Sequence, residues 1–506
     1  MLVTVFSCVE RLLGFIYRIF LSHKLGAEGL GIYQISLSIL GLFMTITSSG
    51  IPITVSRMMI KYKQENKISN AFATVSAGIL TTIAISVPLT LLVFSKSGIL
   101  NILFSDSRCL PLLAIMIPGL IFTSVYAVIR GTFWGNKQFF TYSIIEFCEE
   151  AVMLIAGIIL VNLAVDFNQG VHMAGYAVLI SYLFSFTVSI LVFFIKGGKL
   201  KAPINELSPL VKSSTPITAM RTSTSLVNTL IAIILPARLI RFGISSENAM
   251  SLFGTVFGMA FPLIFMPSTL IGSIALVLTP EISADFYAKN YKTLKNNVEK
   301  ALKFSCIIAC TIIPILLTFG SQIGEIIYSN STVGNYVKKG AITMLPLSLS
   351  IISTSALNSL NKEKQTLLSF FVGASAMIIC IYFLPKFIGI DCLILGIFLN
   401  YTLSSTINVF LLQKHLPIKI KIAKHIFLSI LAIIPSAMLG IFLKNTLVCV
   451  LGSFLATVIC SIVVFIFTVL FMFITGLYDC ILDNYTTQSK LKFKAFKKRN
   501  SLYNRH

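Results

Sequence analysis

Charge is what this sequence has least of: 11% of its 506 residues are Asp, Glu, Lys or Arg, where soluble domains carry about 25%. Acids are the scarcer sign, 18 against 40 Lys and Arg. That excludes an ordinary water-soluble enzyme. Histidine occurs five times, never in an HExxH or other ligand spacing, and no Walker sequence is present. No metal or cofactor is therefore expected, and ATP is not the energy source. Tryptophan occurs once, and the ten cysteines are scattered. Cys306 and Cys310 share a helix face with no His or acid beside them, which reads as small buried residues and not as a metal site.

What is abundant is apolar chain, 56% of the whole. Long apolar runs occupy 2–22, 30–56, 71–95, 110–130, 141–163, 172–195, 214–237, 249–279, 302–322, 340–360, 366–385, 392–413, 425–443 and 447–475. A helix of about 20 residues crosses the roughly 30 Å hydrocarbon core. In lipid the backbone must satisfy its own polar groups, and these runs are too long and too uniform for barrel strands of about 10 alternating residues. The expected fold is an all-α polytopic membrane protein with about fourteen transmembrane helices. The first run lacks a basic leader and carries three ionisable residues, so it is read as a retained span and not as a secretory signal.

The net charge of +22 invites a nucleic-acid reading, and the placement of the cations decides against it. With the N-terminus inside, the inner connections and the tail hold 28 Lys and Arg, the outer connections 9, and the spans three: Arg11, Arg18 and Arg221. This is a positive-inside pattern, with both termini cytoplasmic in a bacterial cell membrane. The tail stretch KLKFKAFKKRN (490–500) suits the anionic inner leaflet, making membrane lipids its expected partner.

Features recur at a nearly fixed offset. Gly26-Ala27-Glu28 is answered by Gly243 to Glu247, Ser49-Gly50 by Gly272-Ser273, and Asn136-Lys137 by Asn361-Lys362, at offsets of 217, 222 and 225. Two six-helix lobes, 1–200 and 201–415, explain this, followed by two further helices in 416–475 and a basic cytosolic tail, 476–506. Six is even, so both lobes enter the membrane in the same orientation, and paired lobes of this kind carry substrate at their interface. Gly254, Gly258 and Pro262 lie four apart, followed by Pro267; a hinge and close helix packing explain them equally well.

Glu10, Arg11 and Arg18 fall on one stripe of the first run, inside the arc of about 100° that also holds Ser7 and Gly14. A charge at mid-bilayer costs about 2.5 to 3.5 kcal/mol, so the stripe must face protein or water. Glu146, Glu149 and Glu150 share a face of the fifth run, with Arg11 and Arg18 the nearest cations of the same lobe and Arg221 a third from the second lobe. Two accounts compete: a buried ion-pair scaffold, or a cavity whose arginines bind an anionic headgroup with the acids as counter-ions, gate or proton site.

RLLGFIYRIFLSHKLGAEGLGIYQ (11–34), SSGIPITVSR (48–57), GTFWGNKQ (131–138) and LIRFGISSENAMSLFG (239–254) resemble the stage V sporulation protein B family, relatives of the lipid II flippases within the polysaccharide- and multidrug-exporter superfamily. The resemblance implies a flippase moving an undecaprenyl-diphosphate-linked saccharide, the peptidoglycan precursor for spore cortex, to the outer leaflet. It places Arg11, Gly14, Phe15 and Arg18 at the family's cavity-lining pattern and suggests a cell-wall synthase as a neighbour. Where the family has Glu-Gln followed by Arg, this chain has Glu149-Glu150 followed by Met153. A cation-coupled multidrug antiporter on the same scaffold is the competing transport reading. A membrane glycan-processing enzyme is disfavoured because Asp106, Asp166, Glu247, Glu325 and Asp391 sit isolated in short outer loops.

Overall fold

A computed structural model describes residues 2–95, 104–415, 422–451 and 453–474; the tail stretch 490–500 lies outside them. Every regular element among the described residues is helical. In order these are α1 (Leu2–Ser48), α2 (Ile51–Gln64), α3 (Ile68–Phe94), α4 (Cys109–Met116), α5 (Gly119–Gly135), α6 (Phe139–Leu163), α7 (Phe167–Ile195), α8 (Ile204–Arg241) and α9 (Ser246–Phe253). A π-helical segment, Gly254–Ala260, leads into α10 (Phe261–Phe265) and α11 (Ser268–Tyr287). Then come α12 (Tyr291–Tyr328), α13 (Ser331–Gly340), α14 (Met344–Ser359), α15 (Glu363–Phe383), α16 (Pro385–Ile388), α17 (Asp391–His415), α18 (Ile422–Leu451) and α19 (Ser453–Ile474).

Among the described residues, twelve helices are long and apolar enough to cross a membrane, thirteen if α4 and α5, bent by 43°, make one span. The difference from fourteen has three sources. Phe6–Gln64 counts once, yet its 59 residues would reach about 90 Å as one straight helix, three times the hydrocarbon thickness. Its break is Gly26, at φ 64°, a left-handed conformation that costs a residue with a Cβ about 1–2 kcal/mol. Helix α6, with 25 residues, is also long enough to cross, although it carries three glutamates. Conversely, the single run 249–279 is divided at Pro267 into Ser246–Phe265 and Ser268–Tyr287.

The internal repeat has a backbone counterpart. After α2, the amides of Glu65, Asn66 and Lys67 bond back to Lys61, Lys63 and Tyr62; after α11, those of Ala288, Lys289 and Asn290 bond back to Ala284, Phe286 and Asp285. Asn66 and Lys289, 223 residues apart, both have positive φ (58° and 55°), and so do Lys137 and Asn361, 224 apart, at 58° each. These are the paired reverse bonds of a Schellman-type helix stop.

By packing, the chain divides into one unit of Met1–Pro262 with Ile378–Leu393 and another of Leu263–Met377 with Ile394–His506. The first is built around Ile51, Val55, Met59, Val75, Val128 and Phe133. The second centres on Leu294, Val298, Leu302, Leu349, Ile352 and Leu412; Cys306 and Cys310 are buried in it, and the Cys310 thiol donates to the Ser429 carbonyl at 3.5 Å.

Within the first unit, α1 crosses α9 and the π segment with the two backbones in contact. A Cβ on Gly31 would overlap the Met250 carbonyl, and one on Gly254 the Ala27 carbonyl. Both partner pairs, Ala27 with Met250 and Gly31 with Gly254, are 223 apart, so the crossing is reciprocal between equivalent positions of the repeat.

Beside it lies a polar clasp. Arg108 donates to both carboxylate oxygens of Asp106 (3.0 and 2.8 Å) and lies 2.6 Å from Glu28, while Ser246, at the start of α9, donates to Asp106 at 2.9 Å. Asp106 is therefore not the isolated loop acid expected from the sequence; its partner Ser246 is 140 residues away and no local pattern announces it. Burial works to raise the Asp106 carboxyl, but hydrogen bonds from Arg108 and Ser246 outweigh it and hold it below its ordinary value. A depressed acid stabilises the fold above its unfolded value, about 3.9, and that contribution fades as pH falls below this range. Asp106→Asn is expected to cost about 2 kcal/mol, as for a hydrogen-bonded charge, and to flatten the acid limb of a melting-temperature-against-pH curve in detergent. An unchanged acid limb would contradict the role given to this carboxylate.

Candidate functional site

Helices α1, α5 and α6 line an open cavity of about 280 Å³ in the first unit. Its charged lining is Glu10 from α1, Arg130 from α5, and Glu146, Glu149 and Glu150 from α6. Four carboxylates thus share the space with one guanidinium. The α6 acids converge because positions i, i+3 and i+4 fall on one helix face, and that face meets α1 at Gly14, where an added Cβ would lie 3.6 Å from Glu150 Oε2.

Arg130 donates to Glu146 Oε1 at 2.7 Å. Its guanidinium lies 5.1 Å from the ring centroid of Trp134 and 5.8 Å from that of Tyr126. Tyr126, Arg130 and Trp134 follow one another at four-residue steps, so α5 stacks aromatic, cation, aromatic along one face, a cation–π arrangement that desolvation strengthens. The chain's one tryptophan thus lies against this arginine. Arg130 Nε, Glu10 Oε1 and Glu150 Oε2 are buried without a hydrogen-bond partner among the described residues.

Of the residues singled out from the sequence, Glu10, Glu146, Glu149 and Glu150 come together here. Arg18 is close enough to Glu150 to interact electrostatically, and Arg11 is similarly placed with respect to Glu10. Neither arginine forms an ion pair within 4 Å among the described residues; Arg11 is exposed and Arg18 half-buried. Arg221 stands apart on α8, exposed, donating to the Ser49 carbonyl at 3.2 Å.

The ion pair to the α6 acids is made by Arg130, and not by Arg11 or Arg18. Arg130 ends the apolar run 110–130, and by charge it goes with the inner connection that follows, whereas α5 continues to Gly135. The signal that could have found it is the four-residue spacing of Tyr126, Arg130 and Trp134.

A many-span helical bundle with a charged cavity in its first unit has the architecture of a polytopic membrane protein. The chain belongs to the polysaccharide biosynthesis protein family, whose sequence profile matches residues 1–284. It is 23% identical over 444 residues to stage V sporulation protein B of Bacillus subtilis (strain 168), covering 82% of this chain and 83% of that protein. To lipid II flippase MurJ of the same organism it is 21% identical over 478 residues, covering 87% and 86%. Among solved structures it is similar to lipid II flippase MurJ in an inward closed conformation, with a TM-score of 0.73 at 17% identity, covering 93% of this chain and 98% of that one. It is also similar to an inward-facing multidrug resistance MATE family transporter of the MOP superfamily, with a TM-score of 0.67 at 13% identity, covering 82% and 95%. These structural likenesses establish the fold.

Proposed function

We propose that this protein moves an undecaprenyl-diphosphate-linked saccharide, the peptidoglycan precursor of spore cortex, from the inner to the outer leaflet of the bacterial cell membrane. Two six-helix lobes, 1–200 and 201–415, rock to alternate access, and both termini are cytoplasmic. Relatives named as a sporulation protein and a lipid II flippase support this reading. So does the distribution of cations: with Arg130 placed in its helix, the inner connections and tail still hold 27 Lys and Arg against 9 in the outer connections.

The observation that carries it is the exposure of Arg11 and Arg221 on helices long enough to cross a membrane. A guanidinium within a membrane span is kept where it faces protein or water, and its fork donates two parallel bonds to a phosphate oxygen pair. Arg11, Arg18 and Arg221 grip the diphosphate. Glu10, Glu146, Glu149 and Glu150 serve as counter-ions and gate. A cargo with about two negative charges leaving a cell that is negative inside gains about 2.3 kcal/mol per charge per 100 mV, so membrane potential suffices to drive export.

The test is a headgroup-accessibility assay in vesicles, following a lipid-linked disaccharide-peptide. Arg11→Ala and Arg18→Ala are each expected to slow flipping about 10-fold or more, the worth of one charge-assisted phosphate contact, while the melting temperature stays within a few degrees of wild type. Arginine variants that melt early and lose flipping in proportion would make these residues scaffolding. A cation-coupled antiporter is the second reading, favoured by the cavity's four carboxylates to one guanidinium. Proton-dependent efflux of cationic dyes, abolished in Glu149→Gln, would establish it instead.

A further inference from the structure

We propose that the first unit carries a second site, built to hold the phosphodiester of an anionic phospholipid with a hydroxylated headgroup such as phosphatidylglycerol. A polar cavity of about 220 Å³ lies where α2 gives way to α3, α5 to α6, and α7 ends. Lys63 and Lys196 line it with two ammonium groups, Asn136 and Gln138 with two amides, and the buried rings of Phe133 and Phe193 with an apolar wall. No carboxylate is in the lining.

Both ammonium groups are held by neutral oxygens: Lys63 donates to Asn136 Oδ1 at 2.6 Å, and Lys196 to Thr141 Oγ1. Their charge is therefore available to a ligand. The carbonyl ends of α2, α5 and α7 each bring about half a negative charge, still less together than the two lysines supply. Gln138 Oε1 is buried without a hydrogen-bond partner among the described residues. It is an acceptor and cannot serve a phosphate oxygen, but a headgroup hydroxyl can donate to it.

A free phosphate would satisfy the lysines alone. What favours a lipid is the surface beside the lining residues. Phe139 and Phe140 follow Gln138, Phe194 and Ile195 precede Lys196, and Ile68 opens α3; all five are exposed. A basic niche between spans edged with apolar side chains matches a phosphate with acyl chains attached, and basic pockets on the inner-leaflet side of membrane proteins bind anionic headgroups. The proposal does not depend on the transport cargo, because a lipid can sit here whether or not another is flipped.

The experiment is native mass spectrometry of the full chain in neutral detergent, titrated with dioleoylphosphatidylglycerol, dioleoylphosphatidylcholine or inorganic phosphate. The first phosphatidylglycerol is expected to bind wild type, and Lys63→Gln/Lys196→Gln about 30-fold more weakly, since each lysine at a lipid surface is worth about a factor of five. Lys63→Arg/Lys196→Arg should retain binding, which separates lost charge from a damaged fold. Lys292→Gln/Lys364→Gln, outside the cavity, should bind as wild type does. Equal binding of phosphatidylcholine, an equal loss in the outside pair, or no loss in the glutamine variant would overturn the proposal. Displacement of the lipid by millimolar inorganic phosphate would overturn it too, in favour of a free-phosphate site.

Discussion

Arg130→Ala should lower the stability of the detergent-solubilised protein by about 3 kcal/mol, and Arg130→Ala/Glu146→Ala should recover most of that loss. The reason is asymmetry. Removing one partner of a buried ion pair strands the other charge, at about 3–5 kcal/mol, whereas removing both replaces two desolvated charges with apolar space. Here the stranded group would be Glu146, sharing its cavity with Glu10, Glu149 and Glu150. The lower end of the range applies because the two side chains keep 30% and 23% of their exposure. Thermal melting of the four proteins in the double-mutant cycle gives the coupling directly. If the single and double variants melt together, Arg130 does not neutralise Glu146 and the cavity's electrostatics need another account.

Gly254→Ala is expected to destabilise by about 2–3 kcal/mol, while Gly258→Ala, one helical turn away, costs less than about 1 kcal/mol. Both positions are crowded in the same segment. At Gly254 the new methyl would meet the Ala27 carbonyl, part of a backbone fixed by its own helix; at Gly258 it would meet Cδ2 and Cγ of the Leu30 side chain, at 2.7 and 2.9 Å, atoms that can shift more readily than a backbone carbonyl. Overpacking costs about 1–3 kcal/mol where nothing yields. The comparison also decides between the two readings of these glycines. A large difference in melting temperature identifies close packing; equal, small losses with altered transport in both variants identify a hinge.

The span pattern was legible because hydrocarbon imposes a length on every crossing, and apolar runs of that length need no tertiary knowledge to find. Convergence of the α6 acids was legible too, since Glu146, Glu149 and Glu150 share a face by helical spacing alone. Arg130 was not, because a hydropathy boundary stops at the first charge, and a helix stabilised by aromatic neighbours and a carboxylate from the next helix runs past it. The clasp of Asp106 with Ser246 was beyond reach for a different cause: contacts 140 residues apart are decided by which helices cross. The reciprocal crossing of Gly31 and Gly254 stood between these cases. Both glycines lie in the motifs that carried the family resemblance, but only the crossing shows that what they provide is room for a carbonyl.

Trp134, the sole indole of the chain, stands 5.1 Å from the Arg130 guanidinium and so gives this cavity a built-in optical reporter. Its emission wavelength responds to the nearby positive charge, and its quenching to water admitted when that charge moves. Fluorescence of the unlabelled protein, recorded as cargo, protons or membrane voltage are varied, can therefore follow the ion pair during turnover with no dye attached.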